Sequence, residues 1–287
     1  MSPEGPQLPS TPLLTARETP LSAVEFLRAC GEIFARFGEE TQDSGNISYG
    51  VDVGGRRFFV KTPGDLGVST AWADHRVRGD LLRNAAVLAR SLTHRALPAL
   101  HHVVEAPDGP LLVYDWVEGL LLRVEAAERT RPGSSFHRFV HLPPEAILRA
   151  LDEIYDVHRR LAARGWIACD FYDGSVIYDF ERHAVHLVDL DNYQRGPFVN
   201  EMGRMFGSTR FMAPEEFARG ARIDEGTTVF TMGRAAAVFF EPTGIPAEVR
   251  EVVERACREE PAERYPTLAA FHEAWTRARD GGTRQGG

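Results

Sequence analysis

Residues 165–193 read GWIACDFYDGSVIYDFERHAVHLVDLDNY. The tract from Ile177 to Leu190 has the pattern of a hairpin, two short apolar strands around a polar turn, with Asp170 and Asp173 before it and Asp189 and Asp191 after it. Taken singly, each of these aspartates reads as a turn-former or a cap. Taken as a set, they are acidic side chains converging from one hairpin, suited to Mg²⁺, a hard cation that prefers oxygen ligands and a substrate phosphate.

Working outward from this stretch, helical periodicity precedes it over Glu145 to Arg164 and follows it over Glu216 to Phe240, Pro246 to Glu259 and Thr267 to Arg279. The Pro-, Gly- and Ser-rich tract Arg129 to Pro144 reads as a loop. The first part of the chain differs. Leu21 to Phe37 has the spacing of an amphipathic helix, Ile47 to Lys61 that of two strands around Gly54-Gly55, and Trp72 to Leu92 that of a long helix. Two apolar runs, Leu100 to Val104 and Leu111 to Val117, complete a small sheet. The fold class expected is α+β, strand-rich first and helix-rich second, with two lobes. Residues 1 to about 20, with five prolines, are expected to be a disordered tail, and Gly-rich 280–287 a second one.

Composition narrows the functions. With 287 residues, 43% of them hydrophobic, the chain can bury a real core. Its net charge of −8 disfavours nucleic acid or an anionic membrane as main partner. Cys30, Cys169 and Cys257 fit neither a disulfide framework nor a zinc site, which points to a cytoplasmic setting. No apolar run approaches the roughly 18 residues of a membrane span.

With these elements in order, the chain from Ser44 to Trp275 resembles a eukaryotic-type Ser/Thr protein kinase, as a divergent, bacterial-like member. Phe59-Val60-Lys61 resembles the strand ending in the phosphate-contacting lysine, and Leu112 to Gly119 resembles the hinge. Asp170 matches the catalytic-loop aspartate, with Ser175 at the place of the metal-binding asparagine. Asp189-Leu190-Asp191 stands where the family has Asp-Phe-Gly. Gly207 to Glu215 is similar to the segment closing an activation loop, and Glu260 to Pro266 to a late signature whose arginine pairs with the Ala-Pro-Glu glutamate.

The resemblance implies a bilobal domain over residues 21–279, with a β-rich lobe at about 38–114 and a helical lobe at about 119–279. It implies transfer of the ATP γ-phosphate to a protein hydroxyl. ATP would contact Gly45, Asn46, Ser48, Gly50, Lys61, Asp115 and Val117; Mg²⁺ would be held by Asp189, helped by Ser175 and Asp191. Asp170 would take the hydroxyl proton, and Glu215 and Arg264 would form a structural ion pair.

The pattern also departs from the family. The tract Asp43 to Gly50 keeps two glycines of the Gly-rich loop. Asn84 stands near the site of the lysine-pairing glutamate, with Asp80 one turn earlier, and Ala168-Cys169 replace His-Arg. Without that arginine, activity is expected not to require activation-loop phosphorylation. Tyr172 takes a lysine position, Thr228 an aspartate position, and Asp173 and Asp191 could compensate for Ser175. These departures keep an ATP-binding pseudokinase scaffold as the alternative, and a small-molecule phosphotransferase as a second one.

Overall fold

A computed structural model of the chain describes residues 11–38, 44–66 and 73–282. The chain divides into two compact units, Met1–Thr93 with Pro98–Val117, and His94–Leu97 with Glu118–Gly287. The whole is a mixed α/β protein, with an antiparallel sheet in the first unit and helices dominating the second.

The first unit begins with α1 (Pro12–Thr15) and α2 (Ala23–Cys30), then β1 (Glu32–Phe37), β2 (Ile47–Val53) and β3 (Arg56–Thr62). α3 (His75–Ser91), β4 (Leu100–Ala106) and β5 (Gly109–Asp115) follow, and the antiparallel sheet has the order β1-β2-β3-β5-β4. Gly54 and Gly55 both take positive φ in the two-residue β2–β3 turn, the combination such turns require. Strand alternation then sorts the faces. Tyr49, Val51, Phe58, Val60 and Val113 point to one face, where Leu13, Phe26 and Leu27 cover them. Leu112, the register partner of Lys61, points to the other, against Leu82, Ala85 and Ala86 of α3.

Two expectations are corrected here. The disordered tail expected over residues 1 to about 20 is ordered from residue 11: Pro12 sits in the first turn of α1, Leu13 is fully buried, and Glu105 exchanges backbone hydrogen bonds with Arg17 and Thr19. Residues 1–10 lie outside the described region. The helix expected over Leu21 to Phe37 stops at Cys30, because Gly31 lies so close to β2 that a Cβ would come 2.2 Å from the Asp52 carbonyl oxygen. Ile33 and Phe34 therefore belong to a strand, although their spacing continues the helical pattern.

The second unit holds β6 (Leu120–Leu121), α4 (Ser135–Val140), α5 (Pro144–Ala162), β7 (Trp166–Ile167), β8 (Val176–Asp179) and β9 (Ala184–Leu187). Then come β10 (Gln194–Arg195), β11 (Phe198–Val199), β12 (Arg222–Ile223), α6 (Glu225–Phe239), α7 (Ala247–Ala256) and α8 (Leu268–Gly282). The hairpin read at Ile177 to Leu190 is β8–β9, joined by β6 into a three-stranded sheet. α5 packs on α6 and α8, where Tyr155 meets Trp275 and Phe271 edge-on at 4.9 Å.

The loop expected over Arg129 to Pro144 contains α4, capped by Ser134 and buried through Phe136, Phe139 and Val140, so its Gly and Ser mark a cap rather than a free loop. The helix expected from Glu216 starts only at Glu225, where Asp224 caps it. Before that point the chain makes a single 3-10 turn over Pro214–Phe217 and the short strand β12.

Candidate functional site

The loop between β7 and β8 carries Asp170. Its approach is pinned by α6, since the buried Ala168 N–H donates to Thr228 Oγ1 at 3.1 Å. Thr228 thus supports this loop from the position read as the family's aspartate. Asp170 then takes φ 63° and Asp189 takes φ 59°; among the described residues only His183, in the β8–β9 turn, is another non-glycine with positive φ. Such backbone costs on the order of 1–3 kcal/mol per residue and persists where the surroundings over-determine it.

Side-chain contacts surround the Asp170 loop. Asn192 Nδ2 donates to Asp170 Oδ2 at 2.8 Å. Phe171 packs edge-on against His158 at 4.7 Å, and His158 in turn lies 2.6 Å from both the Tyr193 hydroxyl and the Ile154 carbonyl. Burial pushes His158 down to about 4, so at neutral pH the ring is uncharged; its Nδ1–H donates to Ile154 and its Nε2 accepts from Tyr193. One buried histidine therefore braces the residue after Asp170 and the residue after Asn192.

Tyr172 covers the backbone at Gly174, where a Cβ would meet its ring at 2.4 Å. Burial pushes its hydroxyl up to about 12, and the carboxylates of Asp189 and Asp170 push the same way, so both carboxylates act on one hydroxyl. Asp189 is exposed and Asp191 buried. Ser175 is fully buried, and its Oγ has no hydrogen-bond partner among the described residues.

The four carboxylates do not act as one set, which corrects the hairpin reading. Asp173 is buried and bonded to Arg210, with Arg210 Nη1 2.8 Å from Asp173 Oδ2, so it is not available to compensate for Ser175. Burial raises its carboxyl, while Arg210, Arg129 and Arg123 oppose that rise. Among the described residues no group of three or more His, Cys, Asp or Glu side chains is arranged to hold a metal ion. Asp189, Asp191 and the unmet hydroxyl of Ser175 carry oxygens, the donor type that Mg²⁺ prefers.

The segment after β10 closes on this loop. A Cβ at Gly207, whose φ is 129°, would lie 3.5 Å from Asp170 Oδ1. Arg264 binds Glu215 with both terminal nitrogens, at 2.6 and 2.9 Å, and both residues are buried, so the implied ion pair is present. Next to it, the Ala213 N–H donates to Glu216 Oε2 at 2.7 Å. Burial nevertheless raises Glu216 to about 7, with Glu215 and Asp170 adding to the rise.

A residue not singled out in the sequence ties the segment together. Asn200, buried, donates from Nδ2 to the carbonyls of Gly203, Glu215 and Glu216, and its Oδ1 accepts from the N–H groups of Met202 and Gly203. A lone Asn after a strand-like Phe-Val carries no motif that would mark it.

In the first unit, Lys61 lies inside β3, paired in register with Ser48 and Leu112, and is 6% exposed. It is the only lysine among the 33 basic residues of the chain, a signal the motif reading passed over. Ser48 and Gly50 lie in β2, between β1 and β3, within the tract read as strand. The Phe34 ring packs on Gly50, where a Cβ would come within 2.6 Å, and Trp116 packs on Phe34 at 4.9 Å. Gly45, with φ 79°, and Asn46 precede β2; Asp43 lies outside the described residues.

Asp80, offered as a substitute partner for Lys61, is exposed and lies 3.4 Å from Arg83 and 3.7 Å from Arg76, while Asn84 is half-buried on the same helix. The Asp115 carboxylate is held at Oδ1 by His101 at 2.6 Å and Arg56 at 3.2 Å; Val117, half-buried, ends the first unit. No protein-family model matches the chain, and no curated protein matches it in sequence. No helix among the described residues is long and apolar enough to cross a membrane.

Proposed function

We propose that the chain is an ATP- and Mg²⁺-dependent protein kinase of bilobal, kinase-like fold that phosphorylates a Ser or Thr hydroxyl. The observation that carries the reading is Lys61. A chain that uses arginine at all 32 of its other basic positions keeps one lysine, buried in a strand, at the position the kinase resemblance assigns to phosphate contact. Burying a strongly hydrated ammonium is costly, so its retention favours a ligand role over a structural one. Positive φ at Asp170 and Asp189, the two carboxylates assigned to chemistry, supports the same reading.

In this mechanism Lys61 binds the nucleotide phosphates, and Asp189, with Ser175 and Asp191, would hold Mg²⁺, which neutralises phosphate charge when bound. Asp170, oriented by Asn192, accepts the proton of the attacking hydroxyl. Tyr172, a neutral phenol at physiological pH, leaves the negative charge on the two aspartates.

Calorimetry with ATP·Mg²⁺ followed by radiolabel transfer tests the reading. Wild type binds and transfers, Lys61→Ala loses binding, and Asp170→Ala binds with transfer reduced about 10²–10⁴-fold. Absence of ATP binding in the wild type overturns it. Binding without transfer would select the pseudokinase reading instead, which Asp80 favours by turning away to surface arginines.

A further inference from the structure

We infer that His158 and Tyr193 are positioning residues for Asp170, bracing the loop that carries it against the loop after Asp189 through a closed ring of side-chain contacts. The inference rests on the kinase reading and adds the residues that fix its base. Two dipeptides, Asp170-Phe171 and Asn192-Tyr193, are brought together by the antiparallel pairing of β7 with β10. β7 runs into the first and β10 follows the second, with Ile167 opposite Gln194 and Trp166 opposite Arg195. In each dipeptide one side chain meets its counterpart and the other meets His158 of α5. Asn192 Nδ2 donates to Asp170 Oδ2 at 2.8 Å. Phe171 meets the His158 ring edge-on at 4.7 Å, and the Tyr193 hydroxyl lies 2.6 Å from His158 Nε2. His158, Phe171 and Tyr193 are all buried.

The ring has a direction. A carbonyl only accepts, so the Ile154 carbonyl, 2.6 Å from His158 Nδ1, keeps the proton on that nitrogen and turns the Nε2 lone pair to the Tyr193 hydroxyl. A phenyl ring at position 158 would keep the contact with Phe171 and lose the hold on Tyr193. The Tyr193 N–H donates to the Leu190 carbonyl at 3.2 Å, which ties the brace into the turn after Asp189. His158 and Tyr193 thus act on the base through their neighbours, Phe171 and Asn192. Misplacing a reacting group by 1 Å costs about 10²-fold in rate, so a brace of this kind governs turnover more than nucleotide affinity.

The test follows phosphoryl transfer, ATP·Mg²⁺ affinity and side-chain amide exchange on the full chain. Tyr193→Phe, which removes only the hydroxyl, is expected to lower kcat about 10-fold or more, with the ATP Kd within about twofold of wild type. His158→Phe is expected to lower kcat likewise, and His158→Gln, which can donate and accept, to retain more of it. Tyr155→Phe is the control. It removes another buried hydroxyl of α5, which donates to the Met232 carbonyl at 3.0 Å, and is expected to leave kcat within about twofold. Equal kcat in Tyr193→Phe and Tyr155→Phe overturns the proposal. Because the hydroxyl acts through Asn192, adding Tyr193→Phe to Asn192→Ala is expected to lower kcat no further, and multiplicative effects overturn the proposal. The Asn192 side-chain amide, followed by NMR, gives a readout that needs no turnover. Its exchange with solvent is expected to quicken in Tyr193→Phe and not in Tyr155→Phe; exchange equal to wild type in Tyr193→Phe overturns the proposal. ATP·Mg²⁺ calorimetry on the same samples separates the two readings. Intact ATP binding with an unmoved Asn192 amide defeats the brace alone, and a Tyr193-dependent Asn192 amide without ATP binding defeats the kinase reading alone.

Discussion

Lys61 sits in a strand paired on both sides, to Ser48 on β2 and Leu112 on β5, whereas Asp170 and Asp189 sit in left-handed backbone that no regular element supplies. The lysine is positioned by sheet register, a repeated and local device that tolerates change at the surface of neighbouring elements. The aspartates are positioned by side chains that are themselves buried and hydrogen-bonded: Thr228 on Ala168, Asn192 on Asp170, and His158 between Phe171 and Tyr193. Substitutions in the second set should therefore cost far more than substitutions around α3.

The largest effect is expected at the pair below the loop. Glu215→Ala leaves Arg264 buried without its carboxylate and should cost about 3–5 kcal/mol in urea unfolding. A loss below about 1 kcal/mol would show that the loop region does not depend on the buried ion pair.

Next comes Glu216, whose pH dependence has a definite sign. Its folded value of about 7 lies above its ordinary 4.5, so the folded state binds the proton more tightly. Its contribution is fully present below pH 4.5 and is lost as pH rises through 7. On the order of 2–3 kcal/mol of pH-dependent stability should disappear in Glu216→Gln when the two proteins are compared by melting between pH 5 and pH 8. Parallel pH curves would break the assignment.

Thr228→Val is expected to cost about 1–2 kcal/mol by stranding the buried Ala168 N–H, and faster amide exchange at Ala168 would report it. Smallest of all, Asp80→Ala should change stability by less than about 0.5 kcal/mol, since its partners are solvent-exposed, and should leave ATP affinity at the wild-type value. An Asp80→Ala protein as impaired in ATP binding as Lys61→Ala would mean that α3 engages the lysine after all, and the contrast between the two regions would fail.

Much of the site was legible as order along the chain. The β8–β9 hairpin follows from alternation around a polar turn, and the Glu215–Arg264 pair, 49 residues apart, was implied by the kinase resemblance of two short motifs. Local periodicity misled wherever a distant backbone intruded. β1 reads as helix until Gly31 meets the Asp52 carbonyl, and α1 reads as loose chain until Leu13 meets the sheet. Asn200 was invisible because its five side-chain hydrogen bonds all go to backbone groups, which carry no residue identity.

Residue chemistry along the chain settled which groups are on offer: one lysine, a set of aspartates around a hairpin, and a glutamate with a matching arginine. Only the folded chain decided what each of those carboxylates meets. Asp173 is taken by Arg210, 37 residues away, and Asp80 by arginines on its own surface, while Asp170 and Asp189 are held in strained backbone with their charge acting on Tyr172. A carboxylate's role depends on its burial and on the cation it meets, and both are properties of contacts between residues far apart in the chain.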